Sequence, residues 1–181
     1  MRTSADVIGF WFERHDQEDW FGGKPEFDAA LALEFGETLP RVAKGEAYRW
    51  RETPDGRLAE IIVLDQFSRQ LHRGSPLAFA QDPMALALAQ EAVAQGVDEQ
   101  VDAVRRPFFY MPYIHSESLM IHEEAMRLFT GLGDDNQLRY AVNHHAIIAR
   151  FGRFPMRNKV LGRKSTEDEE AYIAEAGSRP F

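Results

Sequence analysis

The chain has 181 residues, 44% hydrophobic and 28% charged, with no cysteine. That length closes one ordinary core, and the composition excludes collagen-like, disordered and disulfide-stapled classes. A net charge of −8 and a pI near 5.3 speak against duplex nucleic acid and anionic membranes as partners. The first apolar run, Val7 to Phe12, is interrupted by Gly9 and is too short for a secretory leader. No stretch approaches the roughly 20 apolar residues of a membrane span. A cytoplasmic location is the expectation. Without cysteine there is no thiolate nucleophile.

Most long segments repeat their apolar residues at helical spacing. From Pro25 to Lys44 the stripe is Phe27, Leu31, Phe35, Leu39 and Val42, with Pro40 as a kink or early end and Gly45 as the stop. Residues 60–64 include the β-branched Ile61, Ile62 and Val63, but continuation through Phe67 and Leu71 favours a buried helix. Asp82 and Pro83 read as N-cap and first residue of a helix that Gly96 stops, with Ala85, Ala89 and Val93 as its close-packing face. Pro107 suits a helix start, and Pro112 an end or bend. Leu119, Met126 and Phe129 form one further stripe, and Ala141, Ile148 and Phe151 another. Thr166 with Glu169 is a capping box. Period-2 alternation is absent, so the reading is all-α. It expects one domain over 1–181, built from about seven or eight helices joined as antiparallel hairpins.

Three places carry polar groups where packing is expected. Asp65, Arg69 and His72 stand at i, i+4 and i+7, either as a structural ion pair or facing a ligand. His115, Ser116 and Glu117 fall just before a helix entry; His115 suits a proton-transferring base and Glu117 its orienting carboxylate, or else Ser116 is a plain cap. Residues 150–164 hold six cations, Arg150, Arg153, Arg157, Lys159, Arg163 and Lys164, and no acid. With −8 overall and +6 here, the remainder of the chain carries −14. Arginine forks suit phosphate or carboxylate; the competing reading docks this edge on the acidic segment Glu167 to Glu170. His144 shares an inward face with Ile148 and Phe151. Neither metal-ligand spacing nor a nucleotide-binding loop is present, so no metal and no cofactor is expected.

The strings LDQFSR, YMPYIHSE and HHAIIARFGRFPMRNKVLGRKST resemble the bacterial domain of unknown function 924 family, over about Val7 to Gly177. The resemblance implies a tetratricopeptide-like α-α superhelix and no particular reaction. Its recurring polar positions fall here on Asp65, Gln66, Arg69, Arg73, His115, Ser116, Glu117, His144, Arg150, Arg153, Arg157, Asn158 and Arg163. Ser68, Met156 and His122 depart from the family's usual proline, histidine and glutamine, and the Met156 change weakens any mechanism needing a histidine there. The functional expectation is a pocket for a small anionic ligand. His115 and Glu117 would be catalytic if any reaction occurs, with Asp65, Arg69, His144, Arg150, Arg153, Arg157 and Asn158 binding the ligand. The alternative is an interaction module for an acidic peptide or subunit.

Overall fold

In the computed structural model, which describes residues 1–177, the chain begins with a reciprocal cap. Thr3 Oγ1 accepts from the Asp6 amide at 3.2 Å, and the Asp6 carboxylate accepts from the Thr3 amide at 2.8 Å, opening α1 (Ser4–Ile8). All regular structure among the described residues is helical. Two compact units result: Met1–Arg73 with Leu77–Pro112, and Gly74–Pro76 with the described chain from Tyr113 onward.

In the first unit α1 runs into a π-helical turn (Gly9–Glu13), followed by α2 (Gln17–Phe21), α3 (Pro25–Phe35) and α4 (Leu39–Val42). The stripe Phe27, Leu31, Phe35, Leu39 and Val42 is buried as its spacing predicts. It lies on two helices rather than one kinked helix. α3 stops at Gly36, and Pro40 sits in the first turn of α4, where its missing N–H costs nothing. Next come α5 (Pro54–Ile62), a second π-helical turn (Val63–Phe67) and α6 (Ser68–Leu71) as one continuous rod. Every residue of that second π turn is buried. Such turns break the 3.6-residue period and are frequent near functional sites. α7 (Asp82–Ala94) buries Ala85, Ala89 and Ala92, so Ala92 and not the half-buried Val93 completes the small-residue face. α8 (Pro107–Ile114) keeps Pro112 inside and ends two residues later, its last two residues being counted with the second unit.

Aromatic rings hold this unit together. Trp11 stacks on Trp20 at 5.4 Å, and Trp20 Nε1 donates to the Trp11 carbonyl at 2.9 Å. Phe67, from the second π turn, meets Phe10, Trp11 and Phe35 at 6.3, 5.6 and 5.1 Å.

In the second unit α9 (Leu119–Leu132) and α10 (Asp135–Phe151) form a helical hairpin. Gly133 turns the chain between them at φ 70°, a conformation that costs a side-chain-bearing residue about 1–2 kcal/mol. The α9 stripe differs from its sequence reading. Leu119 is 43% exposed, and His122, at 0%, is buried beside Ala125, Leu128 and Phe129. Gly152, also at φ 70°, ends α10. A short 3-10 turn (Pro155–Arg157) follows, and then α11 (Glu167–Ala176), opened by the Thr166–Glu169 capping box. Ile147, Ile148 and Phe154 form a core against which Phe151 and Tyr172 pack.

Counting α5 and α6 as one rod gives ten helices among the described residues, more than the seven or eight expected. The surplus arises from pieces such as α2 and α4, whose five and four residues are too short to show a period. No helix among the described residues is long and apolar enough to cross a membrane.

Because Phe67 is fully buried and touches three other rings, Phe67→Ala is expected to cost about 3–5 kcal/mol in urea denaturation. A loss below 1 kcal/mol would show that the π turn contributes little to the core.

Candidate functional site

Asp65 and Arg69 lie in the first unit, on either side of the end of the second π turn. Arg69 Nη1 is 3.0 Å from Asp65 Oδ1 and donates to the Asp65 carbonyl at 2.7 Å. Both its terminal nitrogens donate to Asp82, at 2.9 and 3.0 Å, and Gln66 Nε2 donates to Asp65 Oδ2 at 2.6 Å. The Arg69 side chain is 11% exposed. Burial opposes its charge, but the two carboxylates outweigh burial and raise its pKa. This clamp ties the π turn to the start of α7.

The candidates His115, Glu117, His144, Arg150, Arg153, Arg157 and Asn158 lie in the second unit, where a continuous hydrogen-bond network joins Glu117, Asn158 and Arg153. Glu117 accepts from the Phe154 amide at 2.8 Å and from both Arg163 terminal nitrogens at 2.5 and 2.9 Å. Burial pushes the Glu117 carboxyl up, but Arg163 and the Phe154 amide together leave it below its ordinary value. Arg163 Nε donates to Asn158 Oδ1 at 2.9 Å. Asn158 Nδ2 donates to Ser165 Oγ at 3.0 Å and to Glu169 Oε2 at 3.3 Å. Glu169 then receives Arg153 at 2.6 and 2.8 Å and the Thr166 amide at 2.8 Å. Arg150 reaches Asp168 at 2.8 Å.

Of the basic run, Arg150 and Arg153 are thus turned on the acidic segment that the competing reading offered to the whole run. Glu117, well outside the acidic segment, takes Arg163. The sequence did not single out Glu169 as a site residue. Its capping-box position was legible, and it stood within the acidic segment of the competing reading, but that its carboxylate also receives Asn158 was not.

Aromatic and imidazole rings gather around Phe154. His144 lies 5.7 Å from its ring and 6.3 Å from that of His115. His122 lies 6.1 Å from Phe154 and 6.3 Å from His145. Arg157 stands over Phe154 at 4.5 Å and donates through Nη2 to the His115 carbonyl at 3.1 Å. His144 Nδ1 is 2.8 Å from the Tyr140 carbonyl. A carbonyl only accepts, so Nδ1 carries the hydrogen and the neutral ring keeps its lone pair on Nε2. Both Glu117 oxygens are engaged, by Arg163 and the Phe154 amide. Among the described residues no group of three His, Asp or Glu side chains is placed to hold a metal ion.

An all-α protein with a basic segment partly paired to its own carboxylates and a histidine cluster is thereby defined. Over residues 7–177 the chain belongs to the family described as "Bacterial protein of unknown function (DUF924)". A solved structure of a protein of unknown function, ATU0120 from Agrobacterium tumefaciens, is 36% identical, with a TM-score of 0.90. The likeness covers 96% of this chain and 97% of that one. No curated protein matches the chain.

Four donors, Arg153 foremost, bring the Glu169 carboxyl from its ordinary 4.5 down to about 2. Its contribution to stability is therefore complete above pH 4.5 and is lost as the pH falls toward about 2. Glu169→Gln is expected to lower stability at neutral pH and to flatten the acid limb of the stability curve across that window, read by chemical denaturation. Parallel acid limbs in the two proteins would contradict the assignment.

Proposed function

We propose that the second unit receives a small anionic ligand, a phosphate or a carboxylate, at the face formed by His115 and His144. The observation that carries this reading is the convergence of three chain segments. His115 precedes α9, His144 lies on α10, and Arg157 on the 3-10 turn donates to the His115 backbone. Both residues are partly exposed, and a protonated imidazole is a donor suited to an anion. Arg150, Arg153 and Asn158 serve the site by fixing the segment that carries Arg157, since Asp168, Glu169 and Ser165 already engage them. Asp65 and Arg69 serve as a structural clamp in the first unit. Any proton transfer would fall to His115 or His144.

A second reading takes the helical fold as a tetratricopeptide-like docking module for an acidic peptide. It draws on the exposed Lys159 and Lys164 of the basic run.

The test is an NMR titration of histidine ring protons with inorganic phosphate, succinate and an oligoglutamate peptide at millimolar concentration. Phosphate or succinate is expected to shift His115 and His144 saturably, and His144→Gln to abolish the response. Saturation by the peptide alone would replace this reading with the second. Absence of any saturable shift would remove both.

A further inference from the structure

His122 is fully buried and has one nitrogen engaged and one not. Nε2 lies 2.8 Å from the Ser116 carbonyl oxygen, which only accepts, so Nε2 carries the hydrogen. Nδ1 then holds the lone pair of the neutral ring, and among the described residues it has no hydrogen-bond partner. A proton added at Nδ1 would place a second N–H, and a full charge, in a position closed to water.

The surroundings make that charge less welcome still. From α10, His145 faces His122 at 6.3 Å; from the 3-10 turn, Arg157 adds positive charge. Phe154 offers only an apolar ring, which His144 also touches. On the turn before α9, Glu117 is occupied by Arg163 and the Phe154 amide, and His115 is the remaining titratable group. On its own helix, Glu123 is exposed and Glu124 pairs with Arg127. Burial, then His145 and Arg157, outweigh the Ser116 carbonyl, so the His122 pKa lies below its ordinary value.

Ser116 stands between His115 and Glu117, so the bond from His122 holds the backbone of the turn that presents both. We propose that His122 is a pH-responsive positioning residue: the neutral imidazole pins the His115–Glu117 turn through the Ser116 carbonyl, and protonation releases it. The charged ring would keep its Nε2–H bond to Ser116 but bury an Nδ1–H without an acceptor, and opening of this turn would let water reach it. The inference stands apart from the ligand reading, since none of its readouts needs a ligand.

The folded state takes this proton less readily than the unfolded chain. Stability from His122 is therefore complete above about pH 6.5 and declines as the pH falls below that value. Glutamine at this position can donate to the same carbonyl and does not titrate, so His122→Gln separates positioning from protonation.

The experiment follows the ring signals of His115 and His122 by NMR in the full chain between pH 8 and 5, together with folding stability, for wild type and His122→Gln. His122 is expected to titrate below 6.5, with a second inflection at the same midpoint in the His115 signals. The variant should lose that inflection and keep the neutral-pH His115 environment. Relative to the variant, the wild-type folding constant should fall by up to about tenfold per pH unit below 6.5.

A His122 midpoint at or above 6.5, or His115 signals blind to that midpoint, would overturn the proposal. If His122→Gln does not fold, His145→Gln decides. Removing that neighbouring charge should raise the two coincident midpoints together, and movement of one alone would overturn the link.

Discussion

Arg153 and Arg163, partly buried in the segment that carries Phe154, need their charge met within the protein. The chain meets much of it through two carboxylates joined by one amide. Glu117 receives Arg163, Glu169 receives Arg153, and Asn158, 1% exposed, donates to Glu169 while accepting from Arg163. The arrangement is directional: Glu169 simultaneously caps α11, and Glu117 simultaneously fixes the Phe154 amide. Backbone entry, helix start and charge balance are therefore satisfied by the same atoms. Partial satisfaction of such a network is costlier than none, because each stranded group keeps its desolvation penalty.

A parallel device stands in the first unit. Arg69 is gripped by Asp65 and Asp82 where the chain passes from the π turn into α6. The five buried residues of that turn break the helical period, and the ion triad anchors the break to α7. In both units, charge pairing acts where regular hydrogen bonding is interrupted: at the π turn in one, and in the turns between α10 and α11 in the other. The histidine cluster depends on the second of these, since Phe154, the ring shared by His122 and His144, is held by the Glu117–Arg163 pair at both its amide and its carbonyl.

The helices with long apolar stripes were legible in the sequence, because burial of Phe27, Leu31 and Phe35 or of Ala141 and Ile148 follows from spacing alone. So was the Thr166–Glu169 cap, a purely local pattern. The π turn was not legible, because a register shift leaves composition unchanged. Nor was the inward position of His122, which a stripe of apolar residues skips in favour of Leu119. Partner choice among charges was the least legible feature. Arg163 and Glu117 are 46 residues apart, and Coulomb attraction carries no memory of sequence separation. His115, His144 and Arg157 were each singled out in the sequence, but which of the candidates lie side by side is decided by tertiary geometry. That Arg150 and Arg153 face the chain's own carboxylates was open in the sequence and is decided by tertiary geometry.

Glu117 and Glu169 belong to one network through Asn158. A double-mutant cycle of Glu117→Gln and Glu169→Gln, followed by denaturant unfolding at neutral pH, reads that link. A coupling of about 0.5–3 kcal/mol that Asn158→Ala removes is expected. Additivity of the two substitutions within about 0.3–0.5 kcal/mol would contradict it.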